Sequence, residues 1–146
     1  MLAYVRREHI DRSPAAAFRV LTSVETTPGW APGVLRVEHA SPLPLRAGSV
    51  LREVRRVPAG KEIETELTVV ELDPPARYVV ASLLGDVRTT WTWEIGEHER
   101  GCSVVLTCEV QAPPAAARTA RMLARVLHRQ DRKLLKAFRR TVESLP

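Results

Sequence analysis

No stretch of 18 or more apolar residues occurs in this 146-residue chain, and its first ten positions already carry Arg6, Arg7 and Glu8. Neither a membrane-spanning helix nor a secretory leader is expected, and the cytoplasm is the expected compartment. Cysteine is scarce as well, with only Cys102 and Cys108. Six positions apart in what reads as one extended segment, they would stand roughly 20 Å from each other, too far for a disulfide. Two buried thiols are the expectation. The four histidines, His9, His39, His98 and His128, are scattered with no H-x-x-x-H, and the cysteines form no C-x-x-C, so no zinc site is expected. G-x-S-x-G, G-x-x-x-x-G-K-[ST] and G-x-G-x-x-G are also missing. Their absence argues against a nucleophile elbow and the common phosphate-cradling loops, and no cofactor is called for.

What is present suits one domain, 1–146: 45% hydrophobic and 27% charged residues, enough chain to bury roughly 70% of its unfolded surface. The net charge of +5 is unevenly placed. From Pro113 onward nine Lys/Arg face only Asp131 and Glu143, a net of +7, which leaves −2 for the first 112 residues. Such a basic stretch is either the solvated outer face of a helix or a surface for an acidic partner, a membrane or nucleic acid. Nucleic acid is disfavoured, because no aromatic residues are interleaved with the arginines.

Periodicity predicts a strand over residues 2–10, then Ser13 and Pro14 as cap and first turn of a short helix reaching Thr22. A second helical turn follows near Thr27 and Pro28 and carries Trp30. Six strands come next, near 34–39, 49–57, 62–72, 77–84, 87–95 and 102–110, with turns at Pro58-Ala59-Gly60, Asp73-Pro74-Pro75 and Gly85-Asp86. Alternation is clearest where Val87, Thr89, Trp91, Trp93 and Ile95 share one face. Pro113-Pro114 ends the sheet, and one long amphipathic helix runs from about Ala115 to Leu145. Its apolar stripe (Ala120, Ala124, Leu127, Leu134, Phe138, Val142, Leu145) opposes Arg118, Arg121, Arg125, Arg129, Arg132, Lys136 and Arg139, and one acid, Asp131, interrupts it. The fold class is α+β: a bent antiparallel sheet of about seven strands wrapped on that helix, with two short helices after the first strand.

Four phrases carry a family resemblance: Ile10-Asp11-Arg12-Ser13-Pro14 leading to Phe18 and Leu21, then Pro28-Gly29-Trp30, Ala47-Gly48-Ser49, and Val70-Glu71-Leu72-Asp73-Pro74-Pro75-Ala76-Arg77. In this order they resemble the START-like, or SRPBCC, superfamily of helix-grip proteins that includes polyketide cyclase/dehydrase-like members. The resemblance implies a cavity for a hydrophobic small molecule between sheet and long helix. It does not fix a chemistry, since one fold hosts many functions. Aromatase/cyclase members use cavity arginine, serine or tyrosine groups, none of which aligns with a numbered residue here.

The candidate ligand-binding residues are Trp30, Tyr78, Trp91, Trp93, Leu123, Leu127, Asp131, Leu134 and Phe138. The aromatic ones could stack on a flat ligand or simply fill the core. Asp131 near the middle of an apolar stripe is either a polar anchor or acid/base group in the cavity wall, the partner of a sheet arginine, or a rim residue reaching water. Arg52, Arg56 and Arg88 are expected to point outward. Three readings remain open: a carrier of a hydrophobic or aromatic small molecule, a polyketide cyclase/dehydratase-like enzyme using the same cavity, and an interaction module using the basic helix face. An open sheet has free edges, so a homodimer is plausible.

Overall fold

The computed structural model describes residues 1–57 and 59–146. Pro58, in the expected turn Pro58-Ala59-Gly60, lies outside the described residues. Strands β1 (Leu2–Ile10), β2 (Val34–His39), β3 (Val50–Arg56), β4 (Glu62–Asp73), β5 (Arg77–Leu84), β6 (Val87–His98) and β7 (Gly101–Gln111) form one antiparallel sheet in the order β1-β7-β6-β5-β4-β3-β2. The first two strands therefore lie at opposite edges, and the chain between them must cross the full width of the sheet. It crosses as α1 (Pro14–Leu21) and a single 3-10 turn at Thr27–Gly29. Ser13 Oγ accepts the Ala16 N–H at 3.2 Å and Pro14 occupies the first turn, so the expected cap is the one that forms.

Pairing puts Trp91 opposite Cys108 and Trp93 opposite Leu106. Along β7 the alternation is strict: Cys102, Val104, Leu106, Cys108 and Val110 are all buried, and both cysteines are free thiols. Register shifts at Leu2/Tyr4, Val34/Arg36 and Val69/Glu71 each leave extra residues in one strand, which adds twist and helps curl the sheet. At the start of β7 the chain returns close against the end of β1. Gly101 has φ +121° there, and a side chain at that position would strike the carbonyl oxygen of Ile10, so only glycine fits.

The long C-terminal helix is present, with one interruption. A 3-10 turn at Pro114–Ala116 leads into α2 (Ala117–Gln130), a second 3-10 turn spans Asp131–Lys133, and α3 (Leu134–Glu143) completes it. Arg12 ties the far end to the β1–α1 loop by donating to the carbonyls of Glu143 (2.6 Å) and Leu145 (3.3 Å), which would otherwise lack partners at the helix terminus. The concave side of the sheet thus faces α1, the 3-10 turn at Thr27–Gly29 and the C-terminal helix, and the core lies between them.

Candidate functional site

Between the sheet and these helical segments lies a cavity of about 90 Å³. Its sheet wall comes from five adjacent strands, mostly from alternate residues: Val37 of β2, Leu51, Glu53 and Arg55 of β3, Leu67 of β4, Tyr78 and Val80 of β5, and Trp91 and Trp93 of β6. Period-two geometry makes such a wall, because only every second side chain points to the concave face. Leu21, Thr22, Val24 and Thr27 close it from above, Trp30 and Ala31 from the side, and Leu134 is the contribution of the C-terminal helix.

Trp30 and Trp93 meet edge to face, with ring centroids 5.6 Å apart, and Phe138 packs against both at 5.0 and 5.1 Å. These tilted arrangements set ring edges against ring faces, the favourable electrostatic geometry for aromatic pairs. Trp30 is further held by its indole N–H, 3.3 Å from Thr26 Oγ1. Tyr78 packs edge-on to Phe18, and burial pushes its phenol up to about 12, so it is a neutral hydroxyl at physiological pH.

The polar part of the wall is a pair two residues apart on β3. Arg55 Nε donates to Glu53 Oε1 at 3.0 Å and its Nη1 donates to the Pro32 carbonyl at 3.2 Å, so the guanidinium is fixed to both strand and loop. Both side chains are largely withdrawn from solvent. Such a pair carries donors and an acceptor into an otherwise apolar space at little net charge.

Asp131 lies at the interruption of the C-terminal helix, 2% exposed. Tyr4 Oη of β1 donates to its Oδ2, and Trp91 Nε1 approaches the same oxygen at 3.4 Å. Its Oδ1 is buried with no hydrogen-bond partner among the described residues. Burial raises the carboxyl above its ordinary range, against the opposing pull of the Tyr4 hydroxyl, the Arg55 charge, the Trp91 N–H and the Arg6 charge. Burial and the neighbouring Asp131 likewise push the Cys108 thiol up to about 12, so it is an inert thiol. Arg6 completes the corner, stacked 4.8 Å over the Tyr4 ring while it donates to the His128 carbonyl in the last turn of α2.

Of the nine sequence candidates, Trp30, Tyr78, Trp91, Trp93 and Leu134 come together around the cavity. Phe138 stands behind it in the aromatic cluster, and Asp131 touches it only through Trp91. Leu123 and Leu127 do not line it: they belong to α2, which packs on β1 and β7 beyond the cavity's end. Asp131 is neither ion-paired to a sheet arginine nor at a solvent rim; its partner is a phenol. Arg52 points out and pairs with Glu64 at 2.8 Å, and Arg56 and Arg88 are exposed. The inward arginine, Arg55, was missed, as was Glu53. Their signal was available in the alternation Leu51-Glu53-Arg55, which shares a face with a core leucine.

With this geometry in view, a family model described as polyketide cyclase/dehydrase and lipid transport matches residues 1–143. The chain belongs to this family. Among curated proteins, none matches it. Solved structures similar in fold include the di-domain aromatase/cyclase BexL of the BE-7585A biosynthetic pathway (TM-score 0.78, 21% identity, 98% of this chain and 50% of that one). StfQ, a di-domain aromatase/cyclase of the steffimycin pathway, is similar too (TM-score 0.77, 17% identity, 96% and 50%). Ara h 8.0201 shares the fold over 97% of both chains, with TM-score 0.67 and 14% identity. This chain spans half the length of the two di-domain proteins. The helix-grip architecture is shared with all three, and family and apolar cavity together support a hydrophobic ligand-binding domain.

Proposed function

We propose that the domain binds and carries a small hydrophobic or aromatic molecule between β2–β6 and the segment from α1 to β2. The observation that carries this is the cavity itself: aromatic and aliphatic walls with one polar pair, Glu53–Arg55, aimed into it. Its volume of about 90 Å³ is well below the ~300–1,000 Å³ of occupied ligand pockets. Binding therefore requires expansion, and the segment bearing Thr22, Val24 and Thr27 is the wall not anchored in the sheet. The ligand's apolar surface supplies most of the affinity, at about 25 cal/mol per Å² buried. A carbonyl or hydroxyl on the ligand would find Arg55 or Glu53. Titration with flat aromatic and polyene compounds, followed by quenching of tryptophan emission and native mass spectrometry, tests the reading. One-to-one complexes, weakened by Trp93→Ala, are expected; no complex with any such compound would overturn it.

The same pair favours a second reading, a polyketide cyclase/dehydratase-like enzyme in which Glu53 moves a proton and Arg55 stabilises an enolate. Glu53→Gln should then abolish turnover of an enolisable polyketone while leaving ligand quenching and the melting temperature nearly unchanged. Turnover that survives this substitution would exclude the role given to Glu53.

A further inference from the structure

The outer face of α2 gathers arginines that hold no carboxylate among the described residues. Arg52, Arg55, Arg77 and Arg139 each hold a carboxylate at 2.8–3.1 Å. Arg118, Arg121, Arg125 and Arg129 of α2 hold none among the described residues, and α2 itself contains no acid. At i, i+4 spacing they form two neighbouring rows, Arg118-Met122-Val126 and Arg121-Arg125-Arg129. The first row ends in apolar side chains that stand in water: Met122 is 65% and Val126 46% exposed. Shallow grooves flank the arginines, one floored by Met1 and Leu2, the other by Pro32 and Gly33 beside Arg56.

We infer that this face docks on an anionic phospholipid surface. Guanidinium groups match phosphate oxygens bidentately, and the exposed apolar side chains sit at the depth of the headgroup–acyl boundary when the arginines reach the phosphates. A duplex or single-stranded nucleic acid would satisfy the arginines but leave Met122, Val126 and Leu2 without an apolar partner. No helix of the described residues is long and apolar enough to cross a membrane, so the contact is peripheral. The inference rests on the outer face alone and stands or falls independently of what the cavity binds.

Flotation with phosphatidylcholine vesicles, with and without phosphatidylglycerol, tests it on the full chain. Partitioning onto phosphatidylglycerol vesicles at low salt, lost at high salt, is expected. Arg121→Glu/Arg125→Glu/Arg129→Glu should lower it at least about a hundredfold, at about 1 kcal/mol per arginine. The same charge change in Arg19→Glu/Arg36→Glu/Arg88→Glu, on other faces, should leave most of the binding. Met122→Ser/Val126→Ser, which alters no charge, should lower it about tenfold. All substituted side chains on α2 are exposed, so unchanged circular-dichroism melts are expected; Arg→Gln at the same three positions is the milder variant should the reversals unfold the helix. No partitioning, equal loss in both triple variants, or capture by heparin or an acidic protein with no vesicle binding would each overturn the inference.

Discussion

The two halves of the C-terminal helix face the same sheet yet are built for different surroundings. α3 buries Leu134, Leu135, Phe138 and Val142, and its Arg139 is tied to both Glu8 (2.9 Å) and Glu143 (3.1 Å). α2, four residues longer, buries only Ala120, Ala124 and Leu127, and its arginines are unpaired among the described residues. Large apolar side chains in α3 reach into the aromatic cluster, whereas alanines in α2 let that helix lie flat on β1 and β7 with little in between. One amphipathic pattern thus yields an anchor and a surface. The boundary between them is Asp131, where a 3-10 turn interrupts the helix and the Tyr4 hydroxyl donates to the carboxyl group.

The largest effect expected to separate the halves comes from truncating one apolar side chain in each. Phe138→Ala should cost about 3–5 kcal/mol in denaturant unfolding, since it empties a fully buried ring site between Trp30 and Trp93. Met122→Ala in α2 should change stability by less than about 0.5 kcal/mol. Equal losses would break the distinction.

Substitutions at the boundary come next. Tyr4→Phe removes the hydroxyl donor to Asp131 and should cost about 1–3 kcal/mol. The sign of the pH effect follows from the raised carboxyl. Between the ordinary aspartate range, near about 4, and the raised folded-state value, the folded chain keeps a proton that the unfolded chain has released. Stability contributed by this group is therefore complete below the ordinary range and declines as pH rises through the folded value. Asp131→Asn keeps an acceptor for Tyr4 and Trp91 but cannot ionise. Subtracting its stability–pH curve from the wild-type curve should give a difference that drifts against the wild type with rising pH and then levels off; a flat difference would refute the raised carboxyl.

The smallest contrast is between two arginines. Arg139→Ala should lower the melting temperature slightly, and less at high salt, because the guanidinium is solvent-exposed yet carries two carboxylate partners. Arg125→Ala should be silent in the same thermal melt. A loss at Arg125 would show that α2 is held by contacts its ion-pair geometry does not contain.

Much of this was legible from residues in order. Ser13-Pro14 marked a helix start that forms as expected, the alternation from Val87 to Ile95 chose the buried face of β6, and Pro113-Pro114 marked the passage from sheet to helix. Within the candidate site, the tryptophans and Leu134 were identified because a large apolar side chain on the concave face has few other places to be. Leu127 fits the same helical stripe as Leu134, yet the stripe continues past the end of the cavity and covers β1 and β7 instead. Arg52 and Arg56 face outward as expected, but the inward partner Arg55 is easily overlooked, because in the charged run Leu51-Arg52-Glu53-Val54-Arg55-Arg56 only Leu51 marks the inward phase.

The sequence alone determined which residues share a face, since the periods of 2 and 3.6 are properties of a single strand or helix. It also determined the charge asymmetry of the C-terminal third and the family to which the chain belongs. Only the tertiary structure decided which stretch of each face borders the cavity, that Asp131 would find a tyrosine 127 positions away, and that the space left is only about 90 Å³. Those outcomes depend on how strongly the sheet curls and where the helix crosses it. Both are set by the sum of many contacts between distant residues, and no local period records them.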